Sequence, residues 1–149
     1  MMKTGLLIAF LIAIVGQVLY HVTQKSISTS AHPVISLLTF YLVAAVFTLP
    51  LFWLFPVTGS VTEEIQKLNW AVYGVAASIV MIEIGFLLAY RAGAELSSAA
   101  VLTASVVAVS TLIMGALFFR ESLSVMKVAG IALCLGGIGL MTWKQQLSS

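Results

Sequence analysis

One acid, Glu83, stands inside the largely apolar run from Trp70 to Tyr90. A charged side chain at the centre of a membrane span costs about 2.5–3.5 kcal/mol on insertion scales, so such residues usually face a bundle interior or a watery cavity. Burial in apolar surroundings favours the neutral acid, and a neighbouring cation favours the ionised one. A carboxyl so placed can therefore work as a proton or cation switch, protonated when empty and ionised when a cationic substrate arrives. The alternative is a neutral carboxyl that bonds a neighbouring helix and holds the bundle together.

Other polar groups fall at a similar depth. Gln17, Tyr20, His21 and Gln24 share one helical face by their spacing of three and four. Counting from the span ends at 1.5 Å per residue, Gln17 is ~8 Å, Glu83 ~10 Å, Tyr41 ~12 Å and Ser105 ~9 Å inside the same membrane surface, with Thr103 close by. Gln17, Tyr41, Glu83 and Ser105 thus share a level, provided that their helices turn these faces inward. Tyr20, His21 and Tyr90 complete the candidate substrate- or ion-binding set. For each except Glu83, interhelical hydrogen bonding is the competing role. His21 is able to titrate near neutral pH, or to sit simply as an interfacial residue.

Enzyme chemistry finds no support. The chain lacks a Gly-x-x-x-x-Gly-Lys-Ser/Thr phosphate loop, so no ATP drive is expected. His21, His32 and Cys134 lack zinc-site spacing, and no serine–histidine–acid set can be assembled. Cys134 has no cysteine to pair with inside the chain and reads as a small packing residue. Neither a cofactor nor a metal is expected.

These residues need apolar elements to hold them, and the composition supplies little else. Hydrophobic residues make up 61% of the 149, charged residues 8%. Soluble domains carry about 25% charged residues, so lipid must be the solvent for much of this surface. A net charge of +2, with no run of basic residues, gives no reason to expect a nucleic-acid partner.

Five stretches are long enough to cross a bilayer: Gly5–Val22, Pro33–Phe55, Trp70–Tyr90, Ala99–Phe119 and Val125–Trp143. They occupy most of the chain and leave no room for a soluble domain, so residues 1–149 read as one all-α integral membrane domain. Lys3, Lys25, Arg91, Arg120, Lys127 and Lys144 fall at or near span ends, as do Trp53, Trp70, Tyr90 and Trp143. Pro33 suits a first helical turn, Pro50 should kink the second span, and Pro56 should end it. Ser60-Val-Thr-Glu63 has the form of a capping box, which predicts a short interfacial helix over Val61–Leu68. Lys3 followed by an apolar run could also open a secretory signal, but the run is long and no Ala-x-Ala site follows it.

Five spans put the termini on opposite faces. Lys3, Lys67, Arg120 and Lys127 lie on the N-terminal side; Lys25, Arg91 and Lys144 lie on the other. The positive-inside comparison is nearly balanced. Either the topology is fixed by a weak signal at the N-terminus, or copies insert both ways and pair antiparallel. Small residues recur at Ala100, Ala104 and Ala108, at Thr111 and Gly115, and at Gly130, Gly136, Gly137 and Gly139. Such stripes let helices approach closely in lipid. The last two spans therefore read as a dimer-forming scaffold, or as packed within one chain alone.

Several segments resemble the EamA-type transporters of the drug/metabolite transporter superfamily. Arg120-Glu121-Ser-Leu-Ser-Val-Met-Lys-Val-Ala-Gly130, followed by Gly136-Gly137, is similar to the family's acidic turn and glycine-bearing last span. The stretch from Tyr20 through Lys25 to His32-Pro33 is similar to its first loop, and Gly85-Phe-Leu-Leu-Ala-Tyr90-Arg91-Ala92 to its third-span exit. The resemblance covers about Gly5 to Met141. Typical members fuse two five-helix repeats, whereas this chain holds one, and many carry a fourth-span proline that is lacking here. Glu83 matches no motif of the family.

The resemblance implies half of a ten-helix inverted-repeat bundle, completed by a second copy. It implies a small secondary transporter of a metabolite or toxic compound, in a bacterial-type inner membrane. Self-association as an antiparallel homodimer is expected, with the substrate, cationic if Glu83 reads it, bound near mid-membrane. The rivals are a half-transporter that pairs with a different chain and a non-transporting scaffold or regulatory subunit.

Overall fold

The computed structural model describes residues 2–122 and 124–146, and the side chains of 4–122, 124–137, 139 and 140. Lys3, Trp143 and Lys144, expected at span ends, have side chains outside that set. Among the described residues the chain is helical, without strands. The order is α1 (Met2–Lys25), α2 (Pro33–Thr48), α3 (Leu51–Leu54), α4 (Val61–Gln66), α5 (Trp70–Arg91), α6 (Leu96–Phe118) and α7 (Val125–Gln146).

Among the described residues, four spans have the length and apolarity to cross a bilayer: Thr4–Lys25, Pro33–Leu54, Trp70–Arg91 and Leu96–Phe118. The 22-residue α7 extends ~33 Å at 1.5 Å per residue, with a shorter described apolar stretch over Val125–Gly137. The lengths follow from local chemistry. Pro33 occupies the first turn of α2, where its missing N–H costs nothing, after an extended His32. The second span breaks at Leu49-Pro50 and resumes as the single turn α3, since Pro50 has no N–H to continue the ladder. Asn69 caps α5 by accepting a hydrogen bond from the Ala71 N–H at 2.9 Å.

Two expectations at helix starts are corrected. The interfacial helix α4 forms, but it ends at Gln66 and Ser60 makes no side-chain capping bond. Lys67 instead pairs with Glu64 at 2.6 Å on the exposed side of that turn. The fourth span begins at Leu96 and not at Ala99. Glu95 is extended there, and Ser97 and Ser98 are tolerated because first-turn N–H groups lack helical partners in any case.

The chain divides into two compact units, Met1–Ala92 and Gly93–Ser149. In the first, α5 packs against both α1 and α2. Its described core is small: Leu37, Leu87 and Tyr90 are its buried apolar side chains, and Leu87 is 1% exposed. Most other large apolar side chains face outward, as lipid requires. Leu87→Ala should therefore lower stability in lipid by about 2–4 kcal/mol, the usual cost of a cavity left by a buried leucine. The same change at exposed Leu88 should be near neutral. Denaturation followed by tyrosine fluorescence or by helicity in mixed micelles measures both. Just past Ala92, the C-cap of α5, Gly93 takes the left-handed φ of 95° that stops the helix.

In the second unit α6 packs against α7. The acidic turn that joins them is closely folded. The N–H groups of Phe119 and Glu121 both reach the Gly115 carbonyl, at 3.1 and 3.0 Å, and Arg120 takes a left-handed φ of 52° between them. Glu121 lays its carboxyl over buried Gly115, where a Cβ would stand 3.2 Å from the nearer oxygen. A Cβ at that position would oblige the Glu121 carboxyl to draw back by a few tenths of an ångström. By contrast, a Cβ at Gly130, Gly136 or Gly137 would meet nothing within 4 Å.

Candidate functional site

The site builds up within the first unit, from one face of α1, one face of α5 and a tyrosine of α2. On α5, Glu83, Phe86, Leu87 and Tyr90 recur at spacings of three and four and so line a single stripe. On α1 the matching stripe is Tyr20, His21 and Gln24. Gln24 is 4% exposed, and its amide donates to the Glu83 side chain at 3.1 Å and to the Glu83 backbone carbonyl at 3.0 Å. One amide thus uses both of its N–H groups on the same residue and fixes the carboxyl between the two helices.

His21 is also buried, and its Nδ1 pairs with the Tyr90 hydroxyl at 3.0 Å. Rings fill the space around this pair. His21 meets Phe86 edge-on at 4.8 Å between centroids, Tyr20 meets Phe86 at 5.9 Å, and Phe86 stacks with Tyr90 at 5.9 Å. Lys25 places its ammonium 5.7 Å from the Tyr90 ring centre, a cation–π distance. The cluster therefore runs from an acid inside the span to a cation at its boundary.

Two hydroxyls stand out beside the acid. Tyr20 Oη and Tyr41 Oη are both buried and without a hydrogen-bond partner. Both lie within electrostatic reach of the Glu83 carboxyl, with Tyr20 the nearer, at the margin of hydrogen-bonding geometry. Gln24 takes up one position on the carboxyl, and a carboxylate offers about four. Acceptor capacity remains open on all three side chains.

A separate fastening closes the boundary. Arg91, the last residue of α5, donates from Nη2 to the Ala31 carbonyl at 2.6 Å and to the Ser28 carbonyl at 3.3 Å. It thereby ties the loop between α1 and α2 to the end of α5. Arg91→Ala should release that loop. Hydrogen exchange at the Ile27 and Ala31 amides, which donate to the Gln24 and Ser28 carbonyls, is expected to rise about tenfold or more, from the loss of charge-assisted bonds. Unchanged exchange would show that the loop holds its shape alone.

Of the residues singled out from sequence, Tyr20, His21, Tyr41, Glu83 and Tyr90 come together. Gln17 is exposed on α1, and it is Gln24 that meets the acid. Ser105 is buried in the second unit. Thr103 spends its hydroxyl on the Ala99 carbonyl of its own helix at 2.7 Å. Phe86 and Arg91 were not among the candidates. Phe86 carries a legible signal, three residues after Glu83 on the same stripe, whereas the clamp made by Arg91 depends on a loop path that no spacing reveals.

An all-helical membrane protein with an acid stitched between its helices is what fold and site together define. The EamA-like transporter family matches residues 3–143, and the chain belongs to it. It is thus a membrane transporter of the drug/metabolite type. No curated protein and no solved structure matches the chain.

Proposed function

We propose that this protein is a small secondary transporter of a metabolite or toxic compound, working as an antiparallel homodimer in a bacterial-type inner membrane. Residues 1–149 act as one five-span repeat, and two copies form a ten-helix bundle with substrate near mid-membrane. Glu83 is the coupling residue: it carries a proton when the site is empty and gives it up when a cationic substrate takes its place. The observation that carries this reading is the Glu83 carboxyl held by Gln24 beside two unpartnered tyrosine hydroxyls. Uncompensated polar groups in a lipid-embedded helix bundle are costly and mark substrate or ion pathways. The near balance of basic residues across the membrane supports insertion in both orientations.

The test is flux into proteoliposomes carrying an imposed proton gradient, with a panel of small amines, amino acids and metabolites. Uptake of at least one member should follow the gradient and collapse with a protonophore. No gradient-dependent flux of any member would favour the scaffold role instead.

A further inference from the structure

The acid and the two hydroxyls beside it make three acceptors, a number that narrows the substrate. A primary ammonium carries three N–H donors, while a quaternary ammonium carries none. Glu83 Oε, Tyr20 Oη and Tyr41 Oη come from α5, α1 and α2, and the two hydroxyls are buried with no partner of their own. A buried hydroxyl left unbonded is destabilising, and a ligand that bonds it recovers that loss. We propose that the Glu83 site is built for a protonated amine bearing N–H groups, whose donors are shared among Glu83, Tyr20 and Tyr41. This rests on the reading of Glu83 as a cation site and adds the chemistry of the cation's head.

The opposite preference has its own logic, which makes the question sharp. Aromatic faces attract alkylated ammonium groups without any hydrogen bond, and Tyr20, His21 and Phe86 lie in mutual contact next to Glu83. If ring faces governed, methylation of the nitrogen would leave binding intact or improve it. If the hydroxyls govern, methylation removes every donor at once. Phe86, one turn from Glu83 on the same stripe, offers the substrate's organic body an apolar surface in either case.

Two probes separate these outcomes: 2-phenylethylammonium and its N,N,N-trimethyl analogue, which share skeleton and charge and differ in N–H donors. Their affinities are measured by titration calorimetry on the full chain in lipid nanodiscs. The primary ammonium should bind at least tenfold more tightly. Tyr20→Phe and Tyr41→Phe should each weaken it about tenfold, the scale of one charged hydrogen bond, and leave the trimethyl analogue unchanged. Melting of the unliganded variants checks the fold, and the comparison of the two probes on the unaltered protein needs no variant at all. Equal or tighter binding of the trimethyl probe, or equal weakening of both by the Tyr→Phe changes, overturns the inference and leaves the cation site standing. Binding of neither probe overturns the cation site, and the inference with it.

Discussion

Glu83→Gln is expected to abolish the pH dependence of transport and to reduce gradient-driven flux at least a hundredfold, with the helical fold retained. Glutamine matches glutamate in shape and keeps a carbonyl oxygen to accept from Gln24, which bonds Glu83 at 3.1 Å. What it loses is the exchangeable proton and the negative charge. A hundredfold loss corresponds to about 2.7 kcal/mol of differential interaction, within the range of a charged hydrogen bond or ion pair out of water. Flux measured at several external pH values, with the melting temperature of each protein, separates coupling from folding. If Glu83→Gln kept the same pH profile, the carboxyl would be a neutral rivet between α1 and α5.

A second large effect is expected in how the chain inserts. Reporters fused after the last residue should be found on both sides of the membrane in comparable amounts, because in the proposed five-span topology basic residues divide almost equally between the two faces. Two lysines added to the exposed turn near Ser60 should drive nearly all copies into one orientation. The same protein should then lose transport, since no oppositely inserted partner remains, and regain it when coexpressed with a copy biased the other way. A single orientation in the unaltered chain would remove the self-inverted pair, leaving a partner of different sequence or a fixed parallel assembly.

The spans were open to reading because bilayer thickness imposes a length that apolar composition must meet. Pro50 announced the break in the second span, since a missing N–H acts through the chain's own backbone. Features that depend on side-chain direction were harder. Ser60 and Glu63 have the spacing of a capping box, yet Ser60 makes no capping bond and Glu64 is taken up by Lys67. Depth along α1 singled out Gln17, whereas Gln24 reaches the acid. Helical side chains lean back toward the N-terminus, so a long residue further along the helix can serve a deeper position. The tyrosines were found by depth, but their lack of partners follows from packing among three helices, which no one-dimensional pattern encodes.

Among the described residues, the fastenings of α1 to α5 lie near its Lys25 end. Tyr20, His21, Gln24 and Lys25 make its ring contacts and bonds to α5, whereas residues 4–19 are exposed. A rod anchored at one end is a lever. From Gln24 to Thr4 is about 30 Å, so a tilt of about 10° around the anchored end would swing the far tip by about 5 Å, close to the rise of one helical turn. The Gln24 amide that grips Glu83 sits at the fulcrum, so whatever loosens that grip also frees the long arm.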